Sequence, residues 1–138
     1  MNRPRYPAAV AALLLAITFL LTTPAWADTP ELQATSRDGV QINLYSRLKP
    51  LQLNTMHSWE IELLDSSGTL ITDAVLQVRG GMPEHDHGLP TSPQVTRTLT
   101  DGRYLLEGMR FHMPGLWVLT IELQAAGNTE TVEITFEL

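Results

Sequence analysis

The chain contains no cysteine. An exported domain built from it has no disulfide to rely on and must be held together by its core. Any metal it binds must be held by His, Met, Asp or Glu. That excludes the thiolate sites of zinc fingers, blue copper and iron–sulfur clusters. Basic residues are scarce, nine against fifteen acidic, and the net charge of −6 disfavours nucleic acid and anionic membrane as partners. Long hydrophobic runs are missing too. The one apolar segment, Ala8 to Leu21, is too short to cross a bilayer comfortably. Nor is there a Gly-x-Ser-x-Gly, a His-Glu-x-x-His or a phosphate-cradling glycine loop. Ser92 lies near His87 in sequence but has no orienting acid or oxyanion hole beside it, so a non-enzymatic role is expected.

The short apolar segment fits a different purpose. Arg3 and Arg5 precede it, and Ala25-Trp26-Ala27 supplies the small-x-small pattern at which a signal peptidase cuts. Residues 1–27 are therefore expected to be a secretory signal peptide and residues 28–138 one domain in the periplasm, not inserted in the membrane once cleaved. No cysteine follows the segment, which excludes a lipid anchor at that residue type. The two arginines are not adjacent, which favours general export of an unfolded chain. Cleavage would remove both arginines and leave seven basic residues against fifteen acidic, a net charge near −8.

From Leu32 onward the chain alternates with period two and shows no amphipathic helix. Strands are expected over Leu32 to Ser36 and Val40 to Tyr45, around the Arg37-Asp38-Gly39 turn. Arg47 to Thr55, with Pro50, reads as a loop. Trp59, Ile61 and Leu63 mark a half-buried strand, and Leu70 to Arg79 returns after Asp65-Ser66-Ser67-Gly68. Gln94 to Leu99 and Arg103 to Phe111 flank Asp101-Gly102, the tightest hairpin signal present. Trp117, Leu119, Ile121 and Leu123 line one face of the next strand. Val132, Ile134, Phe136 and Leu138 line one face of the last. Seven or eight short strands at this spacing predict an all-β, immunoglobulin-like antiparallel β-sandwich.

One stretch carries the chemistry. Gly80-Gly81-Met82-Pro83-Glu84-His85-Asp86-His87-Gly88-Leu89-Pro90 packs two of the four histidines and one of the five methionines between backbone breakers. In an extended loop His85 and His87, two apart, point the same way and can meet one ion. Strand-by-strand reversal puts His57, this loop, and His112-Met113-Pro114-Gly115 at one end of the sandwich, with the turns at Gly68, Gly102 and Gly127 at the other. The candidate metal ligands are therefore His85, His87, Met82, His112, Met113 and His57. Imidazole suits copper, zinc and nickel, and thioether sulfur selects copper(I). Each residue also has a plain structural role open to it: His57 as a strand-end residue, the methionines as packing, Trp59 and Trp117 as core, and the paired histidines as a solvated tip held by Glu84 or Asp86.

The paired segments Gly-Gly-Met-Pro-Glu-His-Asp-His-Gly (80–88) and Asp-Gly-Arg-Tyr-Leu-Leu-Glu-Gly-Met-Arg-Phe-His-Met-Pro-Gly-Leu-Trp (101–117) resemble the YtkA-like family of exported bacterial domains. That family is similar in turn to the FixH-like proteins linked to oxidase assembly. The resemblance covers about Met56 to Glu122 and implies an immunoglobulin-like sandwich in the cell envelope, with copper handling as the associated role. It touches Met82, His85, His87 and the Met113-Pro114-Gly115 turn, with His112 just before. Relatives often carry methionine after the His-x-His-Gly run, where Leu89 stands here. That substitution leaves zinc or copper(II) open beside copper(I). Two functions are thus expected to compete. One is a periplasmic domain that binds or delivers a copper ion. The other is an interaction module for an envelope respiratory or transport complex, such as a redox protein or transporter. A small-ligand binder lined by Phe111 and Trp117 is a third.

Overall fold

A computed structural model describes residues 28–138; the expected signal peptide lies outside the described residues. These residues form two antiparallel sheets. The strands are β1 (Leu32–Thr35), β2 (Gln41–Ser46), β3 (His57–Leu64), β4 (Val75–Met82), β5 (His87–Gly88), β6 (Gln94–Thr98), β7 (Tyr104–Met109), β8 (Leu116–Ala125) and β9 (Asn128–Glu137). The first sheet has the order β1-β2-β3-β7-β6 and the second β5-β4-β8-β9. The all-β sandwich expected from the alternation is present. The one strand beyond the expected eight is β5, two residues inside the histidine loop.

The core is the sum of the inward positions. Trp59, Ile61 and Leu63 of β3 face Trp117, Leu119, Ile121 and Leu123 of β8, and all are buried. Along the β8–β9 ladder the inward residues pair Trp117 with Phe136, Leu119 with Ile134 and Ile121 with Val132. Burying alternate large apolar side chains on both sheets supplies the main driving force for folding.

Two departures from simple alternation position the rest. Leu70 to Arg79 is not one strand. Leu70 makes an isolated bridge to Leu64, the chain bends, and β4 starts only at Val75. Buried Tyr104 of β7 fixes that bend, donating its hydroxyl hydrogen to the Ile71 carbonyl (2.8 Å) and accepting from the Ala74 N–H (2.9 Å). Tyr104→Phe keeps the ring but leaves both backbone groups without a partner. It is expected to lower unfolding free energy by about 1–2 kcal/mol in urea titrations. Burial also raises the Tyr104 pKa above its ordinary 10.0. A raised folded-state pKa contributes stability that is complete below that ordinary value. It is lost as pH rises through the folded value, so the wild type should lose its advantage over Tyr104→Phe only in strong alkali.

The second departure is Gly108. Its φ of 88° sits where the β3–β7 register slips, with His57 opposite Met109 but Ser58 opposite Glu107. This is a bulge with glycine in the left-handed region. Before it the inward residues are Tyr104 and Leu106; after it they are Met109 and Phe111. The change of parity sends Phe111 into the core and leaves His112 at the rim.

Candidate histidine rim

The chain enters the rim through β4. Gly80 and Gly81 do not break this strand, as breakers would; they continue it. A Cβ on Gly80 would lie 2.9 Å from the Leu89 side chain and 3.0 Å from Leu119, so glycine lets the returning loop pack flat on the sheet. Pro83 then starts a single 3-10 turn, Pro83–His85, and Asp86 reverses the chain at φ 54°. Asp tolerates the left-handed region better than most residues. His87–Gly88 returns as β5, pairing Met82 with His87 and Gly81 with Gly88.

That turn is not extended, yet it brings the two histidine rings to one side by another route. The His85 and His87 rings stack with centroids 5.8 Å apart and planes 19° from parallel. His112, delivered from the end of β7, brings its ring to 4.9 Å from His87. Trp117 closes the inner wall, 5.6 Å from His112 and 6.4 Å from His87. Phe111 packs beneath at 5.1 Å from Trp117. The rim is thus three imidazoles in a row on an aromatic floor. His85 is exposed, and His87 and His112 are half-buried.

The other ligand candidates lie elsewhere. Met82 is 1% exposed and belongs to the core, because it shares the inward parity of Leu76 and Val78. Its Cε packs against Gly115, where a Cβ would be 3.1 Å away. Met113 is half-buried against the core, and its carbonyl accepts the Trp117 indole N–H at 3.0 Å. His57 packs on Trp59 (6.2 Å) and Phe111 (5.7 Å), joined to the rim only through that aromatic floor. Its Nδ1 donates to the Thr55 carbonyl at 2.9 Å, and its Nε2 is buried without a partner among the described residues.

Two observations test the rim against a metal ion. The first is the donor set. Among the described residues His112 Nδ1 is buried with no hydrogen-bond partner, a cost that a ligand would relieve. The second is spacing. Metal–nitrogen bonds of about 2.0–2.1 Å place the ring centres of two imidazoles on one ion roughly 4.5–6.3 Å apart. The separations of 4.9 and 5.8 Å fall within that range. Orientation is less suited. As the rings stand, no three His, Asp or Glu side chains among the described residues converge on an ion, and side-chain rotation would be needed. A hollow of about 500 Å³ opens beside His87 on the outer face of the second sheet, lined by Arg79, Gly81, Asp86, Thr120 and Glu133. Its sequence signal was the side-chain-free Gly80-Gly81 pair. Among the described residues no helix is long and apolar enough to cross a membrane.

Comparison with known proteins bears on family and fold. A family model described as YtkA-like matches residues 35–122, more than half of the chain. No curated protein matches significantly. Among solved structures, a DUF4426 family protein from Pseudomonas aeruginosa PAO1 is similar with a TM-score of 0.54 at 14% identity. The match covers 77% of this chain and 92% of that one. At that identity the likeness concerns the fold alone.

Proposed function

This chain belongs to the YtkA-like family, and on that premise we propose that it is an exported domain that binds a copper ion, with zinc as second choice, at the His85–His87–His112 rim. The observation that carries this is the row of three imidazoles from two separate strand ends, one with a buried, unpartnered nitrogen. Copper(II) suits the donors better than copper(I), because the one methionine of the histidine loop, Met82, is sealed in the core. A bound ion would supply a redox-active or Lewis-acidic centre for hand-over to an envelope protein. The chain's own part is to hold it. His85 and His87 bind from the loop, His112 closes from the opposite strand end, and Trp117 keeps water from the inner side. The proposed role is binding and delivery without catalysis, in the periplasm.

Titration of the purified protein with copper(II) is expected to show an equimolar complex of sub-micromolar affinity, lost in the His85→Ala/His87→Ala double variant. Wild-type affinity in that variant would end the proposal. A second reading rests on the exposed Met56 (58%) and Leu53 (39%) beside the same end. There the rigid end would dock on a respiratory or transport complex with the histidines incidental. Partner capture indifferent to the double variant would favour it.

A further inference from the structure

The sandwich is open along one side. β4 pairs with β8 along its inner edge, from Val75–Gln124 to Gly81–Val118. On its outer edge only the last residues have partners: β5 pairs with Gly81 and Met82, and the Leu89 N–H donates to the Gly80 carbonyl at 2.9 Å. In an antiparallel strand the N–H and C=O of one residue point to the same edge, and the edge alternates along the chain. The outward carbonyl of Gly80 therefore fixes the outward groups as those of Leu76 and Val78. Among the described residues none of these four groups has a backbone partner on that edge. A groove of about 580 Å³ runs alongside, between β4 and the edge strand β6 of the other sheet, with Leu76, Val78, Leu89 and Val95 among its walls.

Open edges are usually defended by proline, lysine, a bulge or an inward charge. Val75 to Val78 has none of these, Arg79 at the end being the one charge of the stretch, and Val75 is 59% exposed. The stretch is also complementary to itself. Paired antiparallel about a two-fold axis at Gln77, Leu76 meets Val78 of the second copy and both residues' free groups bond. Arg79 lies opposite Val75 of the second copy, so its stem covers an exposed apolar residue. No like charges meet, except across any charge placed at position 77 itself.

We propose that this edge is an interface between two copies of the chain, joined β4 to β4 into a continuous run of six strands, β9-β8-β4 of one copy followed by β4-β8-β9 of the other, with its two-fold axis at Gln77. Such isologous pairing is the commonest symmetry of soluble homo-oligomers. The proposal is independent of metal binding, since the residues that would pair, Val75 to Arg79, include no histidine.

The register gives the test. Gln77 is exposed, so both variants used should keep the fold, which their urea midpoints check. Sedimentation velocity of the purified metal-free protein from micromolar to millimolar concentration should show a monomer–dimer equilibrium. Gln77→Lys and Gln77→Glu each place like charges face to face on the axis and should weaken it several-fold. An equimolar mixture of the two should restore association as a heterodimer. A wild type that stays monomeric would overturn the proposal and leave the edge to a strand of another protein. A dimer indifferent to both variants, or a mixture no better than either variant alone, would also overturn it.

Discussion

Trp117→Ala is expected to cost about 3–5 kcal/mol of unfolding free energy, the range for truncating a buried large aromatic residue. A domain of this size has only about 5–15 kcal/mol in total. Trp117 is fully buried, meets Phe111 edge-on at 5.1 Å, and donates its indole N–H to the Met113 carbonyl. Truncation therefore leaves a cavity and also frees the turn that carries His112. Trp117→Phe separates the two contributions: it keeps most of the apolar volume, loses the hydrogen bond, and should cost about 1–2 kcal/mol. Urea midpoints at unchanged slope would read both. A loss in Trp117→Ala of less than about 1.5 kcal/mol would mean that the site collapses around the gap, and that Trp117 is not the buttress of the rim.

Much of this was legible beforehand, because the sheets are amphipathic in the simplest way. The runs Trp59-x-Ile61-x-Leu63 and Trp117-x-Leu119-x-Ile121-x-Leu123 state their buried faces directly, and both faces are as read. The end at which the histidines gather was also legible. The chain crosses between sheets from β3 to β4, from β5 to β6 and from β7 to β8, yet His57, His87 and His112 still meet through the rings of Phe111 and Trp117. What misled was glycine. Gly80-Gly81 reads as punctuation by composition, yet it sits inside β4 because a side chain there would collide with Leu89. Had β4 been extended through the pair, the parity of Leu76, Val78 and Gly80 would have placed Met82 in the core. Gly108 inside the Arg103 to Phe111 run carried the signal for a bulge, and the bulge decides which of Phe111 and His112 faces inward. The bend held by Tyr104 could not be foreseen, since it depends on a hydroxyl thirty residues away in sequence finding two backbone groups.

Copper(II) affinity should respond to His112 and ignore Met82. His85 and His87 share one short turn, so alone they form a local chelate. In the proposed site His112 would be the ligand that ties the ion to the folded domain, its ring being 4.9 Å from His87. His112→Ala is expected to lower copper(II) affinity ~100-fold, the upper end of what loss of even a supporting group costs at a metal site. The fold should survive, because His112 is half-buried and its Nδ1 makes no hydrogen bond to lose. Met82→Leu keeps the volume of a wholly buried side chain and should cost under about 1.5 kcal/mol of stability, with copper(II) affinity unchanged. Calorimetric titration gives both affinities, and nitrogen hyperfine structure in the copper(II) resonance counts the imidazoles, which should fall by one in His112→Ala. If His112→Ala binds like the wild type, the site shrinks to the loop pair and the rim has no part in it. If Met82→Leu is the variant that fails, sulfur reaches the ion. The core would then have to open on binding, and copper(I) rather than copper(II) would be the cargo.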